Sequence, residues 1–196
     1  QEEAGRCLQC SSLCDRCVDV CPNRANVAFT IAPFRRLLPV FRFCDGGILG
    51  VATEEVVVAQ ERQILHLADR CNECGNCATF CVHQGRPYRE KPRLFLDEAA
   101  FRQETDNAFF FSGNTIRYRE HGVEMVLSLE KDGFLFEDQR VRARFSADGS
   151  LQEASPVAAF EGEVSLRPAL ELWVVLRGAH EALPFLAAGK ERGPAP

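Results

Sequence analysis

The chain has 196 residues, a net charge of −5 and a pI near 5.5. That length holds one domain with a real core or two small ones, and the acidic balance excludes a general basic footprint for nucleic acid. The composition is ordinary for a globular protein except for ten cysteines, nine of which lie in two short blocks.

The N-terminal "QEEAGR" has neither the basic start nor the apolar segment of a secretory signal, and its first residue, Gln1, suggests a processed chain or a piece cut from a longer one. The first block follows as "CLQCSSLCDRCVDVCP", with Cys7, Cys10, Cys14, Cys17 and Cys21. Alternation then predicts a short strand over Val27–Ile31. Residues 32–60 contain two prolines and a Gly-Gly turn, which reads as an inserted hairpin or loop rather than a helix. "RQILHLADR" at 62–70 alternates again and leads into the second block, "CNECGNCATFC", with Cys71, Cys74, Cys77 and Cys81. Cysteine loop, short helix and strand are thus used twice, which suggests pseudo-twofold packing of two centres.

Beyond "RPYREKPRLFL" the character changes. "DEAAFRQE" at 97–104 has helical character. Alternating runs punctuated by Ser-Gly-Asn, His-Gly and two Asp-Gly turns then predict a small antiparallel sheet, in which Phe109, Phe110 and Phe111 read as core rather than as stacking platforms. "LRPALELWVVLRGAHEALPFL" has the spacing of a covering helix, and "GKERGPAP" reads as a frayed tail. The longest apolar run, "ALELWVVL" at 169–176, is far too short to cross a bilayer, so no membrane insertion is expected.

Without a signal segment, clustered cysteines read as metal ligands in a reducing, cytoplasmic setting rather than as a disulfide framework. Four soft thiolates suit a cubane iron–sulfur cluster, and gaps of two, two and three residues are the spacing in which the last cysteine ligates the other cluster of a pair. On that pattern Cys71, Cys74 and Cys77 hold one cluster, completed by Cys21. Cys81 completes the other, whose remaining ligands are best fitted by Cys10, Cys14 and Cys17. The first gap of that block is three residues where two are usual, so Cys7 could replace Cys10 or stand as a free thiol. Val82 occupies the usual proline position, and Cys44 in "VFRFCDGG" reads as a small buried hydrophobe. His66, His83, His121 and His180 share no ligand spacing, and His83 alone follows a block closely enough to tune a cluster. Nucleotide-loop, dinucleotide, nucleophile-elbow and zinc-protease signatures are missing, so no catalytic residue is assigned.

"RCLQCSSLCDRCVDVCPNRANV" and "LHLADRCNECGNCATFCVHQGRPYREK" resemble the C-terminal iron–sulfur region of the YgfK-type selenate reductase subunits, which are similar to the glutamate synthase small subunit. The marks are the five-cysteine block followed by Pro-Asn-Arg-Ala-Asn, the phrase Cys-Asn-Glu-Cys-Gly-Asn-Cys-Ala, and Gly85–Tyr88 with Lys91 behind them. The likeness covers about two thirds of the chain and fits poorly around Cys44. It implies electron transfer through two [4Fe-4S] clusters between a flavoprotein unit and a redox partner, with a molybdenum hydroxylase as one acceptor. FAD and NAD(P)H are expected only in a missing N-terminal region or a partner.

The expected fold is therefore α+β. A ferredoxin-like two-cluster module with its insertion at 32–60 spans residues 1–93, and a small antiparallel-sheet domain with a covering helix spans 94–196. The expected function is the electron-transfer part of an oxidoreductase, not a complete enzyme. The alternative is a zinc-stabilised protein-interaction module without redox role. Redox sensing through Cys7 is a third reading.

Overall fold

In the computed structural model, residues 14–44, 47–158 and 161–184 are described. A short helix, α1 (Arg16–Asp19), leads into β1 (Asn26–Thr30). The long hairpin β2 (Phe34–Cys44) and β3 (Gly47–Val58) follows, and then β4 (Arg62–Leu67). A 3-10 turn at Ala68–Arg70 enters the second cysteine block, which carries α2 (Asn76–Thr79) and then α3 (Pro87–Glu90). Next come β5 (Arg93–Phe95) and α4 (Glu98–Gln103), capped by Asp97, whose carboxylate accepts the Ala99 and Ala100 amides. Six strands then run as a meander: β6 (Ala108–Ser112), β7 (Thr115–Glu120), β8 (Val123–Glu130), β9 (Gly133–Glu137), β10 (Val141–Ser146) and β11 (Leu151–Pro156). The chain ends with β12 (Gly162–Val164) and α5 (Arg167–Ala182).

The expected division into a ferredoxin-like module and a separate antiparallel domain is not the fold. The protein is mainly β, and one nine-stranded mixed sheet, β1-β4-β5-β6-β7-β8-β9-β10-β11, takes strands from both halves. Its continuity rests on β5, which pairs parallel with β4 on one side and with β6 on the other. Residues 93 and 94 both lie inside that strand, and Leu94 is completely buried. The hairpin at 34–58 forms where proline and Gly-Gly punctuation suggested one, and with β12 it makes a second, three-stranded sheet.

The core explains why the two sheets stay together. Along α5, Ala169, Leu170, Leu172, Val174, Val175, Leu176 and Ala179 are buried on every side, so the helix is enclosed rather than laid on a surface. It shares one apolar core with Phe29 of β1, Leu38, Phe43 and Val56 of the hairpin, and Leu127, Phe134 and Phe145 of the meander. Each large side chain buried there contributes roughly 1.5–3 kcal/mol relative to exposure. Phe134 stacks on Phe145 at 4.8 Å between ring centroids and on Trp173 at 5.7 Å, which keys the helix to the meander. No helix among the described residues is long and apolar enough to cross a membrane.

Gly178 is the position where α5 passes closest to β1, because a Cβ built there would run into the Phe29 ring. Phe29 is itself buried, so it has nowhere to retreat. Gly178→Ala is expected to lower the unfolding free energy by about 1–3 kcal/mol, the usual cost of overpacking, with part of the loss recovered in the Gly178→Ala/Phe29→Leu double variant. Urea titration of the three chains checks this.

Candidate metal centre

Antiparallel pairing of β1 with β4 sets Asn26 opposite His66. Cys21 lies five residues before Asn26, and Cys71 lies five residues after His66. In an antiparallel pair those two directions leave the sheet at the same end, so cysteines fifty residues apart in sequence meet there. Cys21, Cys71, Cys74 and Cys77 all line one narrow cleft of about 10 Å³, together with Asn26, His66, Glu73 and Tyr88. This is the set that spacing assigned to a single cluster.

The two cysteine blocks also repeat each other locally. Cys14, Cys17 and Cys21 lie sixty residues before Cys74, Cys77 and Cys81. Cys17 sits on α1 and Cys77 on α2, and both are buried in one small apolar core with Ile64. Three residues after each closing cysteine the backbone turns left-handed, at Arg24 (φ 49°) and Gln84 (φ 55°). The next amide then points back at sulfur: Ala25 N–H donates to Cys21 Sγ at 3.2 Å, and Gly85 N–H donates to Cys81 Sγ at 3.4 Å. Within the second block Glu73, also left-handed (φ 51°), donates its amide to Cys71 Sγ at 3.3 Å. Three sulfurs, those of Cys21, Cys71 and Cys81, thus each receive a backbone donor, an arrangement that stabilises sulfur as thiolate.

The seven cysteines whose side chains are described are all free of disulfides, and the side chain of Cys44, expected as a buried hydrophobe, lies outside the description. Cys74 is exposed, Cys14, Cys21, Cys71 and Cys81 are half-buried, and Cys17 and Cys77 are buried. Cys7 and Cys10 lie outside the described residues, so the first block's remaining ligand is not placed. Burial pushes the Cys71 thiol up, the Glu73 amide works against that, and the neighbouring Cys21, Glu73 and Cys74 add to the rise. Burial likewise raises Cys77, opposed by the Tyr88 backbone, with Cys21 and Cys71 reinforcing it and the Asn26 side chain lowering it. A cation would reverse this repulsion among converging thiols.

Two residues of the cleft carried no sequence signal. Asn26 and His66 are 3% and 2% exposed, and they hydrogen-bond each other through Asn26 Oδ1 and His66 Nδ1 at 2.8 Å. Asn26 Nδ2 donates to the Cys17 carbonyl at 2.7 Å. That bond orients the amide, so Oδ1 accepts and His66 Nδ1 is the donor. His83, the histidine that spacing singled out, is not among the cleft residues. A larger cavity of about 680 Å³ lies beside Phe34, Trp173 and Arg177, but it is lined by neither cysteine nor histidine.

The donor set fits a soft metal or an iron–sulfur cluster. Among the described residues no three cysteine sulfurs lie within 4.8 Å of one another. A tetrahedral zinc ion with bonds of about 2.3 Å would hold its four sulfurs about 3.8 Å apart. The arrangement is wider than a single ion requires. Asp106, Glu120 and His121 do come within that distance, but they are a surface turn group beside β6 and β7 whose His121 amide and ring bond Asp106.

No family model matches the chain, and no solved structure matches it. It is 36% identical over 132 residues to "Putative oxidoreductase YgfK" of Escherichia coli O157:H7, and equally to the protein of that name from Escherichia coli strain K12. The matched segment is 67% of this chain and 10% of each relative, so the chain spans about a tenth of the length of the curated relatives it matches. The similarity relates it to an oxidoreductase over two thirds of its length.

His66 gives the site a pH signature. Burial first, and the Arg93 charge second, lower its pKa from 6.5 to about 4, opposed by Glu73. Below pH 6.5 the unfolded chain binds a proton that the folded chain refuses, so stability falls as pH drops from about 6.5 to about 4 and levels below that. The loss is about 3 kcal/mol at most. In metal-free protein, chemical denaturation across this range is expected to show that slope, and His66→Asn, which keeps a donor for Asn26, should flatten it.

Proposed function

We propose that this chain is the electron-transfer part of an oxidoreductase and holds two [4Fe-4S] clusters, the first on Cys21, Cys71, Cys74 and Cys77. The second would use Cys14, Cys17 and Cys81 with Cys10 or Cys7. The observation that carries the reading is the convergence of Cys21 from one block with three cysteines of the other in a single cleft. Bound there, such clusters would supply one-electron chemistry at low potential.

The chain's own residues supply the rest. Backbone donors from Ala25, Glu73 and Gly85 offset negative charge on Cys21, Cys71 and Cys81. Such N–H···S bonds and burial are the levers by which protein sets a cluster's potential. The exposed Cys74, with exposed Phe80 and Val82 flanking Cys81, gives this end of the molecule an apolar edge at which a redox partner can approach. By similarity and by the cysteine pattern, the donor is a flavoprotein unit using FAD and NAD(P)H and the acceptor a partner oxidoreductase, a molybdenum hydroxylase or selenate-reducing system being the candidate, in the cytoplasm.

Anaerobically purified chain should contain about eight irons with matching acid-labile sulfide. Cys74→Ser should lose about half of both, while Cys7→Ser should lose none if Cys10 is the ligand. Colourless protein with stoichiometric zinc would overturn the proposal, and equal iron loss in the two variants would put Cys7 in place of Cys10.

A further inference from the structure

The cavity of about 680 Å³ lies beyond Thr30, at the end of β1 opposite to Asn26 and the cysteine cleft. Its walls come from the start of the hairpin with Phe34 and Arg36, the β10–β11 turn with Asp148, and α5 with Trp173, Arg177 and Glu181. The size suits a small organic molecule, since ligand pockets run to roughly 300–1,000 Å³. Nothing in the cysteine chemistry uses it.

Ion pairing singles out one residue of this cavity. Thirteen of the eighteen described arginines pair with an aspartate or a glutamate. Four of the other five, Arg16, Arg24, Arg70 and Arg86, lie within five residues of a cysteine. The fifth is Arg177, exposed at the cavity with its guanidinium carbon 5.1 Å from the centre of the Trp173 ring. That cation–π contact holds the group in place and uses none of its N–H donors. Helix geometry offers Glu181, four residues on, as a partner, but the Glu181 carboxylate instead accepts the Thr30 amide at 3.3 Å. The other carboxylate of the cavity, on Asp148, is taken up by the Ser146 and Ser150 hydroxyls and the Ser150 amide, and it stands 4.0 Å from Arg36. Arg36 itself donates to the Asp148 and Arg35 carbonyls, which fix its position and leave its charge at the wall.

We infer that this cavity binds a small organic oxyanion, whose carboxylate or phosphate pairs with Arg177 and whose apolar body lies against Ile31, Pro33 and Phe34. Those three residues supply the apolar wall. The planar fork of a guanidinium matches both kinds of oxyanion with paired N–H donors, and Arg177 is the one cation of the cavity with no carboxylate committed to it. The two acids are held away by their own donors, so an incoming anion meets a net positive wall. The inference goes beyond the electron-transfer reading and does not depend on what the cysteines bind.

The test is calorimetric titration of the full chain, followed in parallel by the emission of Trp173, its sole tryptophan. The probes are phenyl phosphate, benzoate, inorganic phosphate and uncharged benzyl alcohol. Phenyl phosphate or benzoate should bind with about millimolar affinity, as expected for ligands of that size, with inorganic phosphate and benzyl alcohol both weaker. Arg177→Gln should lower the affinity by about tenfold or more. Arg142→Gln removes an equal charge from the meander, where Arg142 pairs with Glu137, and should leave binding unchanged. No binding of either organic anion, or equal losses in the two variants, would overturn the inference and leave Arg177 as a cap over Trp173. Inorganic phosphate or benzyl alcohol binding as tightly as phenyl phosphate would overturn the ligand class. If Arg177→Gln does not fold, Arg177→Lys decides, because it keeps the charge and loses the fork: parent affinity in that variant overturns the pairing.

Discussion

When β1 lies antiparallel to β4 with Asn26 against His66, everything upstream of the first strand and downstream of the second is delivered to one end of the sheet. The first block ends there and the second begins there. A slip of one residue would turn the side chains of β1 to the opposite face, separating Asn26 from His66 and carrying Cys21 away from Cys71. The register is protected from that slip by burial. Leu65 and Leu67 of β4 and Phe29 of β1 are all nearly inaccessible, and Phe29 is pinned beneath Gly178 of the enclosed helix. The site is thus held by the same core that holds the two sheets together.

This arrangement also divides labour between rigid and open parts. Cys17 and Cys77 are buried on short helices that pack together, and they anchor the two cysteine turns to Ile64 of the sheet. Cys74 stands exposed on the outer loop. Behind the second block, buried Asn107 donates to the Arg89 and Lys91 carbonyls and fastens the exit of α3 to β6. Asp69 accepts the Leu96 amide at 2.6 Å, which closes the same region from the other side of β5. The parallel strand β5 is therefore short but well supported, and it makes one sheet out of two halves of different composition.

Local signals were readable and non-local ones were not. The two cysteine runs and the punctuation at 32–60 could be read because each is encoded within a few residues, and the hairpin forms where that punctuation indicated one. The meander was visible through alternation broken by Gly turns. The pairing of β5 was hidden, since a three-residue strand has no period to detect and its partners are set by tertiary packing. That is why a boundary near residue 93 seemed natural and why a ferredoxin-like module was expected where a mixed sheet exists. Asn26 and His66 were overlooked because one asparagine and one histidine forty residues apart have no ligand spacing. Their significance comes from strand register alone.

The central claim is that cysteines of both blocks share the ligation of iron–sulfur clusters at the end of the β1–β4 pair. Low-temperature EPR of the dithionite-reduced, anaerobically purified chain tests it most directly. The account predicts the broadened spectrum of two magnetically interacting reduced clusters, the result expected when two centres are built from interleaved ligands. A preparation that gives no cluster signal on reduction and contains zinc in place of iron would contradict it.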